Sequence, residues 1–367
     1  MSFAAVTRLL SLAAAVGALS LATPTTADEA TLAQLADRYR QGCRDDALDE
    51  VGLWTAERTR REVEGLLQLR PFDPALAFAA ALLHVHRALL CSASTTLEYR
   101  GQHLAAATRL LLAAADAPVS ADSAGLARRM FLLVALALEE TLDVDAAHGV
   151  ARAGLERFED DAELLTVLGM TLETGPSMRA YDLPPQARRG SFDARPGFAI
   201  EGAGSRGEWR SLPDSTLGQA EAAFRRALAA DPGLSEARLR LGRVRLLQGR
   251  AAEAIPDLQQ VAREDGSLRR RYLARLFEAR GHEKRKDLES AARAYRAAVA
   301  VEPEGQSAWL GLGRALDLLG RGDEAQEAFT RALGIHRERG DPWWSYTRGD
   351  LERLEPLVAE LQAALAR

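Results

Sequence analysis

The chain has 367 residues, 47% of them hydrophobic, 27% charged and 6% aromatic, with a formal net charge of -5 and a pI near 5.8. That composition suits a soluble globular or repeat protein and excludes collagenous and disordered classes. The mildly acidic balance gives no field for drawing in nucleic acid or an anionic bilayer, and with Lys only at Lys284 and Lys286, lysine-based covalent chemistry has almost no candidates.

Residues 1–27 have the layout of a secretory signal peptide: Arg8, an apolar run from Leu9 to Ala22, then small residues before Asp28. Thr25 and Ala27 suit the positions before the cut, as do Ser20 and Ala22. The run falls short of the ~20 residues that cross a bilayer, so no stable transmembrane segment is expected after cleavage. An exported, periplasmic location follows as the expectation. In an oxidising compartment the two cysteines, Cys43 and Cys91, are candidates for one disulfide, with two buried thiols as the alternative.

Residues 28–140 read as degenerate helical hairpins, with breaks near Asp73-Pro74, Ser92 to Thr96 and Pro118 to Asp122. The run Met130 to Leu138 is too short for a membrane span and reads as a helix buried between neighbours. From 141 to 347 a regular pattern takes over. Ala220, Ala254, Ala291 and Ala325 are separated by 34, 37 and 34 residues. Phe224, Tyr295 and Phe329 follow four positions after three of them, and Leu168-Gly169, Leu241-Gly242 and Leu312-Gly313 mark the preceding helices.

The spacing is broken once. Ala147 and Ala220 lie 73 residues apart, so a Pro/Gly-rich insertion at 175–213 separates the two helices of one unit. It carries Tyr181, Phe192, Phe198 and Trp209. A loop of this length is a partner-contacting or groove-covering flap, a packing insert, or a disordered segment. We name Tyr181, Phe192 and Trp209 as its candidate contact residues. After the array, Asp341 reads as an N-cap and Pro342 as a first-turn residue, with Trp343 in register with Trp309. Residues 348–367 have the apolar spacing of a C-terminal capping helix.

The pattern of Trp309, Leu312, Gly313, Ala325, Phe329 and Ala332, echoed with Pro232 and Pro303 closing earlier units, resembles the tetratricopeptide repeat (TPR) family. The resemblance implies an all-α fold: a right-handed α-solenoid of helix hairpins with a concave face. The small residues would stand where paired helices cross, and the bulky ones would fill the gaps. It also implies that Arg243, Arg280 and Arg314 occupy a position facing the groove in three consecutive units. Such a guanidinium ladder suits an acidic protein or peptide partner. In the alternative, Glu283 and Asp317, each three residues on, neutralise Arg280 and Arg314 within their own helices.

Other patterns carry no chemistry. Gly202 to Gly207 match G-x-G-x-x-G without a strand-turn-helix context, so no nucleotide cofactor is expected. His84 and His86 are two apart on a helix, and no metal-binding spacing occurs. The expected function is a non-enzymatic protein-protein interaction scaffold of the cell envelope. The alternatives are a structural subunit that uses its outer faces, or a hydrolase built on the 175–213 insertion.

Overall fold

Short polar residues set several of the helix starts. Asp143, Asp161, Ser267 and Asp287 accept from the first-turn amides of Ala146, Leu164, Arg270 and Ser290 at 3.3, 2.8, 3.1 and 3.1 Å, satisfying donors that a helix leaves open. The computed structural model describes residues 63–65, 67–68, 74–89, 97–115, 121–141, 143–179, 214–335 and 340–365. Its helices in chain order are α1 (Pro74–Leu89), α2 (Leu97–Ala115), α3 (Ala121–Glu140), α4 (Val144–Arg157), α5 (Ala162–Arg179), α6 (Asp214–Ala230), α7 (Ser235–Leu247), α8 (Ala251–Glu264), α9 (Leu268–Lys284), α10 (Leu288–Val301), α11 (Gln306–Leu318), α12 (Gly322–Gly334), a 3₁₀ helix (Pro342–Arg348) and α13 (Leu351–Leu365). No strand occurs among the described residues, and no described helix is long and apolar enough to cross a membrane. The expected leader, Cys43, Cys91, Tyr181, Phe192 and Trp209 lie outside the described residues.

The chain divides into two compact units, Met1–Thr141 with Leu351–Arg367, and Leu142–Asp350. In the first, α1 pairs with α2 and both pack on α3. Every side chain from Met130 to Leu138 is buried, so the apolar run is a core helix. The terminal helix α13, expected as a cap for the array, packs in this unit on α3 and α1. It buries Leu357, Val358 and Leu361 there. His84, on α1, is buried with its Nδ1 2.8 Å from that of His103 and its Nε2 3.0 Å from Glu64 Oε1.

The second unit is the solenoid. Each helix from α4 to α11 packs on the next in sequence. The first helices of the hairpins, α5, α7, α9 and α11, also touch one another in that order, so they form the closely spaced inner row. The helices flanking the insertion, α5 and α6, pack together as a hairpin. Gly175 and Pro176 do not end α5, which continues to Arg179. A proline inside a helix removes one backbone hydrogen bond and crowds the carbonyl four residues back, and here the helix continues past it.

The small residues stand where helices cross. A Cβ on Gly169 would lie 2.5 Å from the Phe224 ring, one on Gly242 2.7 Å from Leu258, and one on Gly313 2.7 Å from Phe329. Ala220, Ala254, Ala291 and Ala325 are buried. The turns inside the hairpins need a left-handed residue, supplied by Gly249 (φ 77°) and Gly320 (φ 73°), and by Lys286 (φ 61°) in the middle unit.

Candidate functional site

The 3₁₀ segment does not continue the repeat. Asp341 takes its N-cap position and accepts from Trp343 N at 2.9 Å. From there the chain runs across first helices, with contacts on α5, α7, α9 and α11. The same Asp341 carboxylate accepts from Ser307 N at 2.6 Å, at the start of α11, whose own cap residue Gly305 offers no side chain. An anion there is favoured by the aligned peptide dipoles of the helix. Tyr272 of α9 fills the space a Gly305 side chain would need. Burial, and then the charge of Asp341, push its phenol well above the ordinary range.

Next come two aromatic residues three apart. Residues i and i+3 eclipse in a 3₁₀ helix, so the Trp343 and Tyr346 rings stack with centroids 5.6 Å apart. The Phe277 ring of α9 meets both edge-on, at 5.6 and 5.3 Å. Guanidinium groups cover their faces. Arg240 lies 4.1 Å from the Tyr346 centroid, Arg243 lies 4.9 Å from Tyr346 and 5.4 Å from Trp343, and Arg280 lies 5.0 Å from Trp343. Cations at such distances are attracted to the ring faces, more strongly when water is excluded.

Polar bonds lock the same cluster. Glu173 of α5 is buried and accepts from Arg240 Nη1 at 3.2 Å, from Arg243, and from the Tyr346 hydroxyl at 2.9 Å. Arg240, itself fully buried, donates from Nε to Glu236 at 2.7 Å and from Nη2 to the Tyr346 carbonyl at 2.9 Å. Burial pushes the Glu236 carboxyl up, yet Arg240, Arg269 and Arg270 outweigh it and hold the group below the usual carboxylate range. The far end of the segment is held by Arg269, which donates to the Gly349 carbonyl at 3.3 Å, and by Arg270, 3.7 Å from Asp350. That ion pair does not decide the charge of Asp350. Burial and the nearby Glu236 outweigh Arg270, Arg269 and Arg240, and its carboxyl is pushed up to about 7.

Of the three arginines read from the sequence, Arg243 and Arg280 meet at one indole ring, Trp343. Arg314 lies 4.0 Å from Glu283 of the preceding first helix. Sequence reasoning missed Glu173, Glu236, Arg240, Arg269 and Arg270, acids and bases spread over three helices; the i, i+4 spacing of Glu236 and Arg240 reads as an ordinary helix-surface pair. Trp343 and Tyr346 carried a signal. Where the repeat has Leu312-Gly313, this stretch has Tyr346-Thr347, so the small residue that a helix crossing needs is missing.

The fold and site define a helical-repeat protein whose inner row of helices is lined with guanidinium and aromatic groups. The model of the Tetratricopeptide repeat family matches residues 217–268 and 278–341, and this chain carries tetratricopeptide repeats over them. The solved structures that match this chain include MamA 41-end from Desulfovibrio magneticus RS-1, with 16% identity, 60% of this chain and 99% of that chain covered, and a TM-score of 0.42. Another is YrrB, described as a TPR protein with an unusual peptide-binding site, with 14% identity, 60% and 91% coverage, and a TM-score of 0.38. No curated protein matches the chain.

Proposed function

We propose that this chain is a non-enzymatic scaffold that holds a protein or peptide segment on the inner surface of its repeat array. One observation carries the proposal: Asp341–Asp350 runs along the first helices and makes the contacts expected of a peptide ligand. Its backbone carbonyls at Tyr346 and Gly349 accept from Arg240 and Arg269, and its aromatic side chains enter a cluster built by α5, α7 and α9. A stacked array offers such a surface preformed, so little ordering entropy is lost when a partner docks. The leader-like stretch at 1–27 supports work in the periplasm.

The test is affinity capture from the native host, with the full chain and its Arg280→Glu/Arg314→Glu variant compared at equal loading. The expected result is a protein retained by the first and absent from the second. An unchanged set of captured proteins would direct attention to the outer faces. Turnover of ester, peptide or glycan substrates would overturn the scaffold function itself.

A further inference from the structure

This inference rests on the reading that the inner surface takes a peptide, and it specifies which peptide. We infer that the site selects a linear segment with two aromatic residues three positions apart, the second a tyrosine, preceded by a carboxylate. Such a segment from another protein enters by displacing the chain's own Asp341–Asp350.

The contacts define each requirement. Glu173 places two carboxylate oxygens 2.9 and 3.1 Å from the Tyr346 hydroxyl, so phenylalanine there would leave a buried acceptor short of a donor. The Trp343 position is read by shape and by the π-face, through the edge of Phe277 and the guanidinium groups of Arg243 and Arg280. The leading carboxylate is read by the Ser307 amide at the start of α11. No charge is demanded at the trailing end, where Arg270 lies 3.7 Å from Asp350 but burial and Glu236 oppose its ionisation. Between them, Arg240 and Arg269 take main-chain carbonyls, which any peptide supplies.

The occupant stands outside the repeat hairpins. It is a short 3₁₀ turn flanked by Gly340 (φ 73°) and Gly349 (φ 78°), and guanidinium groups contribute many of its polar contacts with the array. Tethering gives the resident segment an effective concentration on the order of millimolar. A free copy of the same sequence therefore competes poorly, and a second copy of this chain gains nothing by exchange. The displacing segment belongs to a partner that adds contacts of its own.

The probe is a fluorescein-labelled peptide with the sequence of Gly340 to Asp350, titrated by anisotropy into the full chain and into its Trp343→Ala/Tyr346→Ala variant. The variant is expected to bind about tenfold or more tightly than the native chain, and Glu173→Gln added to it is expected to remove about tenfold or more of that affinity. A peptide with phenylalanine in place of the tyrosine should bind as weakly as a scrambled one. A variant with native circular dichroism that ignores the peptide, or binding indifferent to Glu173→Gln, overturns the inference. Should the variant not fold, hydrogen exchange on the native chain decides: amides of 341–350 that open faster than those of α7 and α9 support it, and equal protection overturns it. Concentration-dependent dimers that exchange this segment would overturn the external source. Peptide binding without loss of a captured partner in Arg280→Glu/Arg314→Glu would retire the proposed function and leave the site chemistry standing; partner loss without peptide binding would do the reverse.

Discussion

The hydroxyl of Tyr346 sits between the two carboxylate oxygens of Glu173, 2.9 Å from one and 3.1 Å from the other. Glu173 belongs to the helix before the insertion and Tyr346 to the segment after the last repeat, so one phenol ties the two ends of the array. Arg240 and Arg243 complete the group. Glu173→Ala would strand the buried Arg240 with one acidic partner fewer, and breaking a buried ion pair from one side costs about 3 to 5 kcal/mol. Chemical denaturation of the full chain, followed by tryptophan fluorescence, should report a loss of that size. Glu173→Gln, which keeps the shape and one acceptor, should lose less.

The crossings give a second expectation. Gly169→Ala would put a methyl group 2.5 Å from the Phe224 ring, and overpacking of this kind costs about 1 to 3 kcal/mol. Gly149→Ala is the control, because a Cβ there meets nothing within 4 Å. Thermal unfolding should show a clear drop for the first and none for the second.

Lys286 holds the left-handed turn position that Gly249 and Gly320 hold in the neighbouring hairpins. A side chain in that conformation costs about 1 to 2 kcal/mol, part of which glycine returns as greater freedom of the unfolded chain. Lys286→Gly should therefore stabilise the array, raising its melting midpoint, while Gly320→Ala should lower it.

The pH dependence follows from Asp350. Its carboxyl is pushed from an ordinary 3.8 up to about 7 by burial and Glu236, so the folded state holds a proton that the unfolded chain has released. Its contribution to stability is complete below about pH 4 and is lost as pH rises through 7. Asp350→Asn cannot ionise. The variant should gain on the native protein between pH 5 and pH 8, read as a melting midpoint that falls less steeply over that interval.

The periodic part of this fold was legible because sterics wrote it. Gly242 and Gly313 had to be small to admit Leu258 and Phe329, and that demand recurs at each crossing. The inner surface was legible only in part. Arg243 and Arg280 could be placed by register, but their ring partner Trp343 also fits the register of a further repeat. Only the Tyr346-Thr347 step, with no small residue, argued otherwise. Glu173 and Glu236 look like ordinary helix-surface acids. Their burial comes from a segment that arrives from far down the chain, and no local pattern encodes that meeting. Sequence spacing pairs Glu283 with Arg280 and Asp317 with Arg314 inside their own helices, whereas Glu283 also lies 4.0 Å from Arg314 of the neighbouring first helix.

Asp341 has one carboxylate and two duties: one oxygen starts the 3₁₀ turn and the other fastens the opening amide of α11. Lifting the segment away would release that amide as well, so vacancy of the inner surface and fraying of the last hairpin are one event. An incoming acid that takes up the Ser307 amide would re-fasten it. Occupancy could then be followed at α11 itself, in the exchange rate of a single backbone proton.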